Sequence, residues 1–161
     1  MRQGRLLASL RICGVLALAG LIAGLNPQKA VAAGDDSNGA SYVTTVSDST
    51  GAFASRGVIT LHADHTMSVI DSGQGGPAFL FSSQLGAWKP DGNGGLVAKA
   101  IDFDFPNVDV ARVDYTIKFA QNGTRISGTI TLTTFPLQGN PLGGGGTLVG
   151  TFTFAGQLIQ P

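Results

Sequence analysis

The chain contains no glutamate; all ten of its acidic residues are Asp. It has one cysteine, Cys13, in 161 residues. Charged residues make up 12% of it, about half the usual share of roughly 25%. Each shortage excludes something. There is no basic patch of the kind nucleic-acid binding requires, so no nucleic-acid partner is expected. No apolar run reaches the roughly 20 residues of a membrane-spanning helix. Strong helix formers are scarce and no window of the body has a 3.6-residue period, so no long helix is predicted there. No Gly-x-Ser-x-Gly elbow marks a nucleophile. The glycine run Gly143 to Gly146 lacks the Lys-Ser/Thr that would follow in a phosphate loop.

What is present begins with an export leader. Arg2, Arg5 and Arg11 make a positive start, and Ile12 to Leu25 is apolar apart from small glycines. Ala30, Val31, Ala32 and Ala33 then offer a cleavage site. Residues 1–33 read as a signal peptide, 34–40 as a flexible N-terminal segment, and 41–161 as one domain. An uncleaved anchor would need a longer run. A lipoprotein would need small residues before Cys13, where Leu10, Arg11 and Ile12 stand. The expected location is periplasmic or extracellular, with no stable membrane insertion after cleavage. Cleavage removes Cys13, so neither disulfide nor thiol chemistry is expected. It also removes four of the ten basic residues, and the remaining six against ten Asp make the domain acidic.

The body alternates extended runs with turn signals, and Gly, Ser and Thr are abundant. Eight strands are predicted: 41–47, 56–63, 67–72, 79–88, 95–105, 110–120, 124–135 and 147–159. This regular spacing is that of an antiparallel meander. Asn122-Gly123 is a strong hairpin signal, because a type I′ turn needs positive φ at both central residues. Closing there pairs Phe119 with Ile126, Ile117 with Gly128, Tyr115 with Ile130 and Val113 with Leu132. All eight then share one apolar face, and a slip of one residue would destroy it. The preceding strand is expected to pair Phe105 with Ala111, Phe103 with Val113 and Ile101 with Tyr115. That register puts Lys99, Phe103 and Phe105 on the apolar face. It leaves Asp102 and Asp104 in solvent near Arg112. The last strand is expected to put Leu148, Phe152, Phe154 and Leu158 on the apolar face. Eight strands with one apolar face can bury it by closing on themselves, which also removes sticky edges. The fold class is therefore all-β, an eight-stranded antiparallel up-and-down barrel, with a two-sheet sandwich as the alternative.

The succession Ser55 to Asp64, Leu85-Gly86-Ala87-Trp88, Val97 to Phe105 and Ala111 to Phe119 resembles a group of exported bacterial proteins of uncharacterised function. They are similar to lipocalins and other calycin-like barrels. The barrels of allene oxide cyclases and dirigent proteins are relatives by shape. The resemblance spans most of the body, from about Tyr42 to Ile159, and rests on structural motifs. It implies a barrel with a ligand cavity and names no ligand.

Candidate chemistry is sparse. His62, Asp64 and His65 could be metal ligands, but Asp64-His65 falls in a predicted hairpin turn, where His tolerates positive φ, so no metal is expected. Asp102 and Asp104 share a strand face. A glycosidase wants its two carboxyls on opposite sides of the substrate, so no catalytic residue is assigned. Lys99 and Tyr115 would put polar tips into an apolar interior, as ligand pockets do. A snorkelling Lys and a core Tyr would look the same. The candidate ligand-binding residues are Trp88, Lys99, Phe103, Phe105, Tyr115, Phe152 and Phe154. The favoured reading is an exported barrel that binds a small apolar or amphipathic ligand inside, without catalysis and without a cofactor. Two others stand beside it: a cyclase-type enzyme using the cavity, and a structural or protein-interaction module. The oligomeric state is left open.

Overall fold

The computed structural model describes residues 39–75, 81–105, 107 and 109–161. The expected leader (1–33) and residues 34–38 of the segment after it lie outside the described residues. Eight strands follow in chain order: β1 (Ala40–Ser47), β2 (Phe53–Leu61), β3 (Thr66–Asp71), β4 (Gln84–Pro90), β5 (Gly95–Asp104), β6 (Asp109–Ala120), β7 (Arg125–Pro136) and β8 (Thr147–Leu158). Each pairs antiparallel with its neighbours in sequence, and β1 also pairs with β8, so the sheet is a closed barrel. The sandwich alternative is thereby excluded, and the all-β, up-and-down barrel stands. Among the described residues there is no helix.

The turns follow residue chemistry. Gln121, Asn122 and Gly123 all have positive φ, and the Gly123 and Thr124 N–H groups close the turn onto the Ala120 and Gln121 carbonyls. The β6–β7 register is the expected one, from Phe119 opposite Ile126 to Val113 opposite Leu132. The β2–β3 turn is one residue longer than a two-residue hairpin. The His62 N–H bonds the Thr66 carbonyl, and the His65 N–H bonds the His62 carbonyl. His65 takes the left-handed position, φ 68°, that a three-residue loop reserves near its end.

The β5–β6 register departs from expectation by three residues. Asp104 pairs with Asp109, Phe103 with Val110, Asp102 with Ala111 and Lys99 with Asp114. An odd shift exchanges the two faces of a strand. Leu96, Ala98, Ala100 and Asp102 therefore point inward and are buried. Val97, Lys99, Ile101 and Phe103 point outward. Volume explains the outcome. Ala98 stands between Trp88 of β4 and Tyr115 of β6, both of which fill the interior. A small barrel alternates large and small side chains, and a residue larger than alanine has no room between those two rings. Gly86, on the same face of β4, is required for a different reason: a Cβ there would clash with the Lys99 carbonyl of the neighbouring strand. In β8 the register shifts opposite Leu132 and Thr133, so Leu148 turns outward and is exposed, contrary to the simple alternation.

One end of the barrel is packed shut by Tyr42, Leu61, Met67, Trp88, Leu96, Ile117 and Ile126. Two of these plugs are tied to turn carbonyls. The Tyr42 hydroxyl donates to Gly123 at 2.9 Å, and the Trp88 indole N–H donates to His62 at 3.1 Å. The His65 ring lies on Trp88 with centroids 4.3 Å apart. The β7–β8 connection folds back on the outer wall. There the Arg112 guanidinium donates to the carbonyls of Pro141 and Gly143 and lies over the Phe135 ring.

Candidate functional site

The opposite end is open. A cavity of about 380 Å³ enters the barrel there, and Val46, Val113, Ile130, Leu132 and Phe152 make its apolar wall. Ser55, Asp71, Gln84 and Tyr115 are its polar wall. A second cavity of about 490 Å³ shares Phe81, Gln84 and Leu132 with it and includes Asp102, Asp104, Asn107 and Asp109. Strand alternation assembles this set. Ser55, Asp71, Gln84 and Asp102 are the inward residues of four successive strands close to the open rim.

Two hydrogen-bonded units organise the polar wall. The Tyr115 hydroxyl donates to Gln84 Oε1 in a short, buried bond, while its ring meets Phe154 edge-on at 6.3 Å. Burial, with the charges of Asp102 and Asp71, pushes the Tyr115 hydroxyl far above the ordinary phenol range. It is therefore a permanent donor. The Asp71 carboxylate accepts from the Ser55 hydroxyl at 2.7 Å and from the Gly73 N–H at 2.8 Å.

Asp102 is the anomaly. The residue is 4% exposed, and burial pushes its carboxyl up to about 6, against the pull of the Gln84 side chain and with a further push from Asp104. Among the described residues every side-chain polar atom shut off from solvent has a partner. The Gln84 side chain is the one hydrogen-bonding group that lowers the Asp102 carboxyl among the described residues, and Asp102 lies in the wall of the second cavity.

The expected site residues divide between the two sides of the wall. Tyr115, Phe152 and Phe154 are inside, and Trp88 is inside at the closed end. Phe103 (48% exposed) and Phe105 (62% exposed) are outside. Lys99 is outside too, paired with Asp114 at 3.1 Å, where it borders a shallow groove across β4, β5 and β6. The structure thus corrects the expectation that Lys99, Phe103 and Phe105 share the interior face. Asp102, expected in solvent, is inside. Gln84, Asp71 and Ser55 join the site although no sequence motif marks them. Their only signal is register, since each is a lone polar residue on an inward position. His62 bonds Ser68 on its own hairpin, and among the described residues no group of three His, Cys, Asp or Glu comes together as metal ligands.

No protein-family model, no curated protein and no solved structure matches this chain.

Proposed function

We propose that the protein is an exported carrier that binds a small apolar or amphipathic molecule in the open end of its barrel and does no chemistry on it. The observation that carries this reading is the apolar-walled cavity with its few inward polar groups, which has the make-up and size of a ligand pocket. The state of Tyr115 argues for binding over catalysis. A hydroxyl already donated to Gln84 and held far above the phenol range is a poor proton shuttle. Export rests on the three-part leader, with cleavage close to Ala33.

Titration of N-phenyl-1-naphthylamine into protein recovered from cells that express the full chain tests the binding. Saturable fluorescence enhancement is expected in the wild type. It should be lost in Leu132→Trp and in Val46→Phe, two cavity-filling variants, with circular dichroism unchanged. Absence of saturable binding, or binding unaffected in whichever filled variant folds, would overturn the reading. The mass of the recovered chain tests export, since a full-length cytoplasmic product would contradict it.

A further inference from the structure

The open end is lined by acids and by no bases. Asp48, Asp71, Asp102, Asp104 and Asp109 border the two cavities, and no Lys or Arg is among their lining residues. The cations of the neighbouring wall are engaged elsewhere. Arg112 is on the outer face, bonded to Asp114, Pro141 and Gly143, and Lys99 pairs with the same Asp114. Most of the acids have local duties. Asp48 accepts from Thr50 and Ala52 within its own turn. Asp71 is held by Ser55 and Gly73, and Asp104 accepts from Asn107 at 3.0 Å.

Asp102 has only the Gln84 side chain to help it. It is almost wholly buried, yet it forms part of the cavity wall. A carboxylate with its acceptor sites unfilled is costly in a low-dielectric interior. Its neighbours relieve that cost only in part. Gln84 accepts the Tyr115 hydroxyl through Oε1, which leaves only its amide N–H to lower the Asp102 carboxyl, and Ala111 and Ala100 beside it have no polar side-chain atoms. A group of this kind in a cavity is what a bound donor or cation would satisfy.

We propose that the ligand is an apolar molecule ending in a cationic hydrogen-bond donor, a primary or secondary ammonium group. That group sits on Asp102 near the rim, and the apolar body lies against Val113, Ile130, Leu132 and Phe152. The inference rests on the reading of the barrel interior as a binding site and specifies its chemistry. Anionic amphipaths such as fatty carboxylates are excluded by the same acids, since like charge disfavours them inside a poorly solvated mouth.

The test is displacement of N-phenyl-1-naphthylamine by three probes that share one chain: decylamine, decanol and decanoate, at pH 7.5. Decylamine is expected to compete at least about tenfold better than decanoate, the scale of a charge-assisted hydrogen bond. Asp102→Asn should remove most of the margin of decylamine over decanol. Asp64→Asn makes the same charge change in the exposed turn at the closed end and should change nothing. Equal competition by all three probes would overturn the ammonium-ended ligand and leave the cavity reading standing. So would an amine preference that Asp102→Asn does not reduce. Failure of N-phenyl-1-naphthylamine to bind at all would instead remove the cavity reading, and this inference with it. A thermal melt of each variant separates loss of binding from loss of fold.

Discussion

Lys99 and Asp114 stand directly opposite each other on the outer wall, with Nζ 3.1 Å from Oδ1. The pair marks the register that turns Asp102 inward. Both side chains are well exposed, so their attraction contributes at most about 1 kcal/mol. It accompanies the register more than it enforces it. The enforcing term is the packing of Ala98 and Ala100 among Trp88, Tyr115 and Val113 inside.

Asp102→Asn should stabilise the protein most at neutral pH. The Asp102 carboxyl is held at about 6 in the folded chain against an ordinary 3.8. Below 3.8 it is protonated in both states and contributes no penalty. Between 3.8 and 6 the unfolded chain gives up the proton first, so rising pH favours unfolding. Above about 6 the penalty is constant, with a ceiling of about 3 kcal/mol for a shift of this size. Urea unfolding of both proteins from pH 4 to pH 7.5 checks this. The variant's advantage should grow across the lower part of that range and then level off. A difference independent of pH would contradict it.

Tyr115→Phe should destabilise the barrel without unfolding it. The substitution keeps the ring against Phe154 and removes only the donor to Gln84 Oε1. Leaving a buried acceptor unpaired costs about 1–3 kcal/mol. The urea midpoint should fall with the slope unchanged, since the surface exposed on unfolding is the same. An unchanged midpoint would mean that cavity water replaces the hydroxyl fully.

Arg112→Ala should release the β7–β8 connection. Arg112 bonds Asp114, Pro141 and Gly143 and lies 5.2 Å from the centroid of the Phe135 ring. Below it Thr133 and Phe135 are buried, although their strand positions face outward. Faster amide exchange is expected at 137–146, with protection in β6 and β7 retained. Arg112→Lys should restore little, because an ammonium lacks the planar fork that reaches two carbonyls and a carboxylate together. Exchange identical to wild type in Arg112→Ala would show that the connection holds itself.

Much of the barrel was legible in the residues. Asn122-Gly123 marked the turn, and closing the hairpin there set the register of β6 with β7, since a slip of one residue would take Val113, Tyr115, Ile117 and Phe119 off the face of Leu132, Ile130 and Ile126. His65 was legible as a turn residue because few side chains tolerate its backbone angle. Eight alternating runs without a helical period announced a meander whose apolar face had to be closed over.

Only the tertiary structure decided which face of β5 looks inward, and with it the composition of the site. By hydropathy alone Val97, Ile101 and Phe103 outweigh Ala98, Ala100 and Asp102, and the wrong face wins. Inside a closed barrel volume outranks hydropathy. Trp88, Tyr115, Met67 and Phe154 already fill the axis, so the strand between them must offer alanines. That choice carries Asp102 into the interior and sends Lys99, Phe103 and Phe105 to the wall. Local residue chemistry thus determined the strands and turns. The candidate site followed from a limit on space that no single strand can express.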